Sequence, residues 1–338
     1  MDSEDQLVNR ITRVISKATG GTGKGVRELP RLGIGDDAAV ISPTGKTDLA
    51  ISCDAFLEGV HFLPNVHPAD SVGYKSLSRA TSDLAAMGAI PRFFLLTLAL
   101  PASRTGAWLD KFLRGMGRAA GELGMRLAGG DTTNFSTVSI SITVLGEVPR
   151  GFAVTRSGAK PGDRIYVSGR LGRAQLGLDL IRSQHGRQKR YAAILQPHLY
   201  PRIRVDLGAW LARNRVASAM MDISDGLSTD LLRLCKASGV GARLDSLRIP
   251  CVEIPAKVAR LLSNDHTYPQ QMALHGGDDY ELLFTVPPQK LKHLKQAPGF
   301  SGLTPIGEVT AEKKLLITAP DGSLKRLQSL GWDPFAKA

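Results

Sequence analysis

The chain has 338 residues, 43% of them apolar, enough for two ordinary domains, each with a core. The longest apolar stretch, residues 93–100, is too short to cross a bilayer, and the acidic start Met1-Asp2-Ser3-Glu4-Asp5 carries no apolar targeting segment, so a cytoplasmic protein is expected. The net charge of +12 admits a polyanionic partner, but the basic residues are scattered and the dense stretch 182–190 has no interleaved aromatics; this argues against nucleic acid as the main partner, and a small, highly charged phosphate compound explains the excess as well.

In chain order, Leu7, Ile11, Val14 and Ile15 share one face of a helix predicted over residues 4–17, which the glycines at 20, 21, 23 and 25 end. A strand near 49–54, a helix near 71–87 and a strand near 93–100 follow. Next come a helix carrying Trp108, Phe112 and Met116, and strands near 125–128 and 138–148. Residues 149–163 turn polar and bear Gly and Pro, which places a domain boundary there and divides the chain at 1–150 and 151–338. The second half has strands near 164–167, 217–221, 282–286 and 315–318, and a helix over 226–238 closed by Gly239. This is an α/β pattern of the α+β type in two domains. LGEV at 145–148 and IGEV at 306–309 sit late in each half, a slight sign of related halves.

Cys53, Cys235 and Cys251 are too widely spaced for a disulfide framework or a zinc site and read as small buried side chains. GGTGKG at 20–25 imitates a P-loop but fails it. Ala18 stands where the first glycine belongs, Gly25 where Ser or Thr belongs, and a helix precedes it instead of a strand.

Six segments carry the chemistry: GIGDDAAV (33–40), SCDAFLEGVHF (52–62), ATSDLAAMGA (80–89), AGGDTT (128–133), MDISDGLSTDL (221–231) and GGDDYELLF (276–284). Each sets small residues, which let a ligand approach the backbone, beside carboxylates, whose hard oxygens suit Mg²⁺. Each aspartate also has a plainer reading. Asp36 and Asp37 fit an Asx-turn, and Asp54, at the end of a predicted strand, fits either a ligand position or a helix cap. Asp83 falls in an otherwise small and apolar helix, where a carboxylate needs a partner or a metal unless it lies on the surface face. Gly129-Gly130-Asp131-Thr132-Thr133 follows a short strand and reads as a turn or a phosphate–metal cradle. Ser224 and Asp225 fall at a helix N-terminus, where Asp225 is either the N-cap or a contact to metal-bound water. Were Asp37, Asp54, Asp83, Asp131 and Asp222 to converge, each pair ~4 Å apart would repel by about 4 kcal/mol, and bound cations would be needed to hold them together.

Taken in this order, GIGDDAAV, SDLAAMGA, GGDTT, DISDGL and GGDDYELLF resemble the thiamine-monophosphate kinase family, within the superfamily of aminoimidazole ribonucleotide synthetase and selenophosphate synthetase. The resemblance runs from about Gly33 to Phe335. It implies an N-terminal mixed-sheet domain that dimerises through its sheet, a C-terminal α/β domain, and ATP held between them with several Mg²⁺ ions. By position, Asp37, Ser52, Asp54, Asp83, Asp131, Asp222 and Asp225 resemble the family's Mg²⁺ ligands, and Gly130, Asp131, Arg156 and Ser224 its ATP contacts. His61, Asp278 and Trp332 match substrate positions; for Trp332 an aromatic face for the thiamine ring and plain core packing are both open. Two residues depart from the pattern: Cys53 stands where the family has Thr, and Asp278 where it has Glu.

The implied reaction is ATP plus thiamine monophosphate giving ADP and thiamine diphosphate, in a homodimer. The acceptor oxygen is already anionic near neutral pH, so no general base is expected; direct in-line transfer assisted by metal is. The runner-up is aminoimidazole ribonucleotide synthetase. Selenophosphate synthetase would want a reactive Cys near the glycine loop, and none precedes Cys53. A basic nucleic-acid-binding protein is the non-enzyme rival, and its mark would be steeply salt-dependent binding.

Overall fold

A computed structural model describes residues 36–41, 45–183, 188–262, 265 and 267–335. The predicted N-terminal helix and the glycine loop at 20–25 lie outside them.

The first sheet has five strands: β1 (Ala39–Ile41), β2 (Thr47–Leu57), β3 (Ile90–Leu100), β4 (Arg126–Asn134) and β5 (Ser139–Pro149), in the order β1-β2-β5-β3-β4. All pairs are antiparallel except β3 with β4, which makes the sheet mixed. Alternation decides its faces: Ile140, Ile142, Val144 and Val148 of β5 point into the core with Phe94, Leu96 and Leu98 of β3. Helices α1 (Ala69–Ala86) and α2 (Ala107–Leu123) cover that side, and Leu77, Leu84, Phe112 and Met116 fill the gap. The two helices cross almost backbone to backbone. A Cβ on Gly73 would strike the carbonyl of Phe112, and one on Gly115 that of Asp70. Among the described residues nothing covers the opposite face of the sheet, and Phe93, Leu95 and Leu127 are exposed there.

Three local expectations change. β2 runs three residues past Asp54, and Asp54 therefore sits within a strand. The segment GGDTT is not a turn: β4 continues through it, because parallel pairing with β3 supplies the backbone partners and glycine lets the strands approach at Leu96. Gly130 has φ 153°, a value that a side chain would strain. Cys53 is exposed on the open face, where Thr143 Oγ1 donates to its sulfur at 3.4 Å, while Cys235 is buried as expected.

The second sheet gathers β6 (Arg164–Val167), β7 (Ala219–Ile223), β8 (Gly241–Asp245), β9 (Glu281–Val286), β10 (Thr304–Thr310), β11 (Leu315–Thr318) and β12 (Leu324–Arg326). Their order is β12-β11-β8-β10-β6-β9-β7, with β8 and β11 the parallel pair. Between β6 and β7 lie α3 (Arg173–Arg182), α4 (Ala192–Leu199) and α5 (Val205–Arg213), and α6 (Leu227–Ser238) follows β7. Gly239 ends α6 in the left-handed conformation, φ 69°. The two halves meet where α5 lies on α1. A Cβ at Gly208 would strike the Ala85 carbonyl, and Leu207, Leu211 and Ala212 share one core cluster with Ala86, Met220 and Phe284. That contact fixes α1 against β7, and the site lies along it.

Candidate functional site

A cavity of about 1210 Å³ opens between the two sheets, lined by β2 and α1 on one side and by β7, α6 and the segment before β9 on the other. Carboxylate oxygens of Asp37, Asp83 and Asp222 lie within 4.8 Å of one another on its floor. Each comes from a different element. Asp37 precedes β1, Asp83 projects from the last turn of α1, and Asp222 stands in β7. Ser82, beside Asp83 on α1, donates to Asp222 Oδ2 at 2.6 Å, so a hydrogen bond crosses the domain contact at the centre of the cluster. Ser52 of β2 donates to Asp83 Oδ2.

Burial and mutual repulsion oppose the ionised forms. Burial first, then Asp54, Asp222 and Asp37, push the Asp83 carboxyl well above the usual range, against the Ser52 hydroxyl. Burial and Asp37 raise Asp222 to about 7. Asp36, beside the cluster, is raised to about 6 by burial and by Asp37; it accepts from the Asp37 and Arg156 amides and so performs the turn work expected of either aspartate. Three hard-oxygen donors at this spacing, with the neutral forms of Asp83 and Asp222 favoured where no cation shares the charge, suit Mg²⁺.

Three arginines balance the cluster from outside. Arg156 grips Asp37 with both arms of its fork, Nε at 3.1 Å and Nη2 at 2.7 Å. Arg79 donates through Nε to Asp54 Oδ2 at 3.1 Å, and Arg233 pairs with Asp225 and with Asp230. Asp225 is not a helix cap: Gly226 holds that place, and the Ser224 and Asp225 amides donate to Asp230 Oδ2 at 3.1 and 3.0 Å. Both Ser224 and Asp225 face the cavity.

His61, Asp278 and Trp332 also line the cavity. The Leu57 amide donates to His61 Nδ1 at 3.0 Å, leaving Nε2 as the protonated nitrogen, and burial followed by Arg79 lowers the imidazole to about 4. His61 is thus a neutral donor. Asp278 is held by Lys75 Nζ at 2.7 Å and by the Tyr280 hydroxyl at 2.6 Å. Burial alone would raise its carboxyl, but Lys75, His198 and Arg79 outweigh it and keep Asp278 ionised well below the usual range. Asp278 and Tyr280 both take left-handed φ, 66° and 49°, the backbone strain found where a site over-determines its geometry. Trp332 is 48% exposed toward the cavity, its amide anchored on the Asp225 carbonyl at 2.9 Å, so core packing is not its role.

Two expected site residues stand apart. Asp131 and Gly130 lie on the exposed edge strand β4. Asp131 pairs in register with Thr97, then Ser141, then Ala55, three strand spacings or ~14 Å from the residue beside Asp54. Conversely, Lys75 and Arg79 were not expected. Their signal was available: with Asp83 they fall at i, i+4 and i+8, one face of an otherwise small and apolar helix. His198 reaches the site only through α4, and no local pattern marks it.

The N-terminal domain of the AIR synthase related proteins matches residues 35–148, and the C-terminal domain of the same proteins matches residues 160–319. The thiamine-monophosphate kinase of Escherichia coli strain K12 is 41% identical over 312 residues, 90% of this chain and 92% of that protein. The chain belongs to the thiamine-monophosphate kinase family. A solved structure of a family member, AaThiL complexed with AMPPCP and TMP, superposes with a TM-score of 0.83 at 30% identity, covering 98% of this chain and 97% of that one. The thiamine-monophosphate kinase of Stenotrophomonas maltophilia K279a gives 0.72 at 34% identity, with 93% and 96% covered. Among the described residues no helix is long and apolar enough to cross a membrane.

Proposed function

We propose that this chain is a thiamine-monophosphate kinase, transferring the γ-phosphoryl group of ATP to thiamine monophosphate to give thiamine diphosphate. The observation that carries this reading is the cluster of Asp37, Asp83 and Asp222, buried at the meeting of two domains in a cavity large enough for both substrates. Its kinship with enzymes of that name supports the choice of acceptor.

Asp37, Ser52, Asp54, Asp83, Asp222 and Asp225 would hold Mg²⁺. Bound there, the ions would screen the repulsion between two anionic phosphates and the charge that develops during transfer. The chain's own part is positioning. Arg156 and Ser224 would take the nucleotide phosphates, and Trp332, His61 and Asp278 the thiamine moiety, its ring on the Trp332 face. No side chain is required as a general base, since the acceptor phosphate is already ionised, and we assign direct in-line transfer without a phosphoenzyme.

The open face of the first sheet supports a homodimer, because Phe93, Leu95 and Leu127 leave an apolar surface beside an edge strand that, among the described residues, has no outer partner. Gly130 and Asp131 lie on that strand. Pairing of two copies through it would bring them to a nucleotide site that a single chain leaves incomplete. The two sheets would then be the cores of domains 1–150 and 151–338. The test is ADP release from Mg·ATP with thiamine monophosphate against other phosphorylated acceptors. Turnover restricted to thiamine monophosphate is expected, and equal turnover with another acceptor would overturn the assignment.

A further inference from the structure

Arg79 is the side chain that the reading above leaves without a task. It comes from the middle of α1, is only 18% exposed, and borders the cavity. A lone ion pair with Asp54 does not exhaust it. A guanidinium has five N–H groups, and Arg79 spends one, Nε, on Asp54 Oδ2. Among the described residues neither Nη group has a hydrogen-bond partner, and neither is sealed from solvent, so both are reached from the cavity. The plane of the fork is fixed from behind: its central carbon lies 5.5 Å from the Phe56 ring centroid, and Phe56 is itself buried and stacked on Phe62. A cation held so, with two parallel donors turned to open space, is prepared for a planar pair of anionic oxygens.

Its position decides which anion. Arg156 is held by the field of Asp37, Asp222 and Asp36 at one end of the carboxylate row. Arg79 is held by Asp54 and Asp278, at the other end, where His61 also stands. The two guanidiniums therefore bracket the aspartates, one on the nucleotide side and one on the acceptor side. Asp54 accepts from Arg79 on one oxygen only and keeps the other for a cation, so the two roles do not compete.

Resting on the kinase reading, we propose that Arg79 binds the phosphate of the acceptor substrate, with its Nη groups donating to two phosphate oxygens and His61 Nε2–H within the same subsite. Arg79 would thereby sort phosphorylated from unphosphorylated acceptors and hold the attacking oxygen beside the metal-bearing carboxylates.

The experiment compares ligands that differ by the phosphate alone. In the full chain, Arg79→Gln is assayed for the KM of thiamine monophosphate and of ATP, and for the Ki of thiamine as a competitor. The KM of thiamine monophosphate should rise roughly 10- to 100-fold, the loss expected for a charge-assisted pair of hydrogen bonds, while the thiamine Ki and the ATP KM stay within about twofold. Arg79→Lys, which keeps the charge but not the fork, should fall between. A purely structural Arg79 would move the thiamine Ki together with the KM of thiamine monophosphate, and that result overturns the proposal, as does an unchanged KM. Should Arg79→Gln fail to fold, the same comparison in Arg79→Lys decides: an unaltered KM for thiamine monophosphate overturns it. The unsubstituted chain separates the two failures. No ADP release from it sinks the kinase reading and this proposal together, whereas normal turnover with an indifferent Arg79 sinks the proposal alone.

Discussion

Asp222→Asn should stabilise the metal-free protein while depriving it of metal. In the native fold the Asp222 carboxyl is raised from 3.8 to about 7, chiefly by burial and then by Asp37, so the folded state holds a proton that the unfolded chain gives up. A raised carboxyl contributes its full stability below the unfolded value and loses it as pH climbs through the folded value. Between pH 5 and pH 8 the cost of keeping Asp222 in place should thus grow by on the order of 3 kcal/mol, at about 1.4 kcal/mol for each unit up to the folded pKa. Simple Coulomb repulsion agrees: two unit charges at the 4.8 Å limit of the cluster repel by about 3 kcal/mol at an effective dielectric of 20. Asparagine carries no such charge and its oxygen can still accept from Ser82. Thermal unfolding with EDTA should therefore show the variant melting several degrees above the parent at pH 8, with a clearly smaller gap at pH 5. Adding Mg²⁺ should raise the parent at pH 8 and leave the variant nearly unmoved. A variant less stable than the parent at pH 8, or a gap independent of pH, would refute the electrostatic account of the cluster.

Other parts of the structure make separate demands. Phe93→Glu, on the open face of the first sheet, should convert a dimer to a monomer in sedimentation and lower turnover, since Asp131 on the neighbouring edge strand then has no second copy to serve. Trp332→Ala should raise the KM for thiamine monophosphate by roughly tenfold, the worth of one aromatic contact, with the ATP KM unchanged in the same assay. Gly115→Val should lower the urea midpoint by the equivalent of about 2 kcal/mol or more, because even a Cβ there invades the Asp70 carbonyl and forces α1 from α2.

Much of this site was legible before any coordinates. Asp83 stood out as a carboxylate in a helix of small residues, and its helix does turn it onto other aspartates; of those whose convergence was considered, Asp37 and Asp222 join it and Asp131 does not. The edges of elements were less legible. Paired glycines read as punctuation, yet at Gly129 and Gly130 a neighbouring parallel strand supplies the backbone partners and the chain runs straight through. Asp225 read as either a cap or a contact to metal-bound water because a strand gives way to a helix there, but Gly226 holds the cap position and the Asp225 carboxylate pairs with Arg233. Cys53 read as buried because free cysteines usually are, and which sheet face lies open is a property of packing that one strand's alternation does not reveal. The Lys75, His198 and Asp278 group depends on three segments far apart in the chain, so only the fold could assemble it.

The central claim is that the buried aspartates carry phosphoryl transfer through bound metal, and Asp83→Asn tests it most directly, because Asp83 reaches every other member of the cluster. Thiamine diphosphate formation should be followed in this variant and its parent, at saturating ATP and thiamine monophosphate, across a Mg²⁺ titration. The account predicts a turnover number lowered by about 10³-fold or more, in the range seen when a charge-stabilising group is removed from a transfer site, with no recovery at high Mg²⁺. Parent-like turnover, with the same dependence on Mg²⁺, would contradict it.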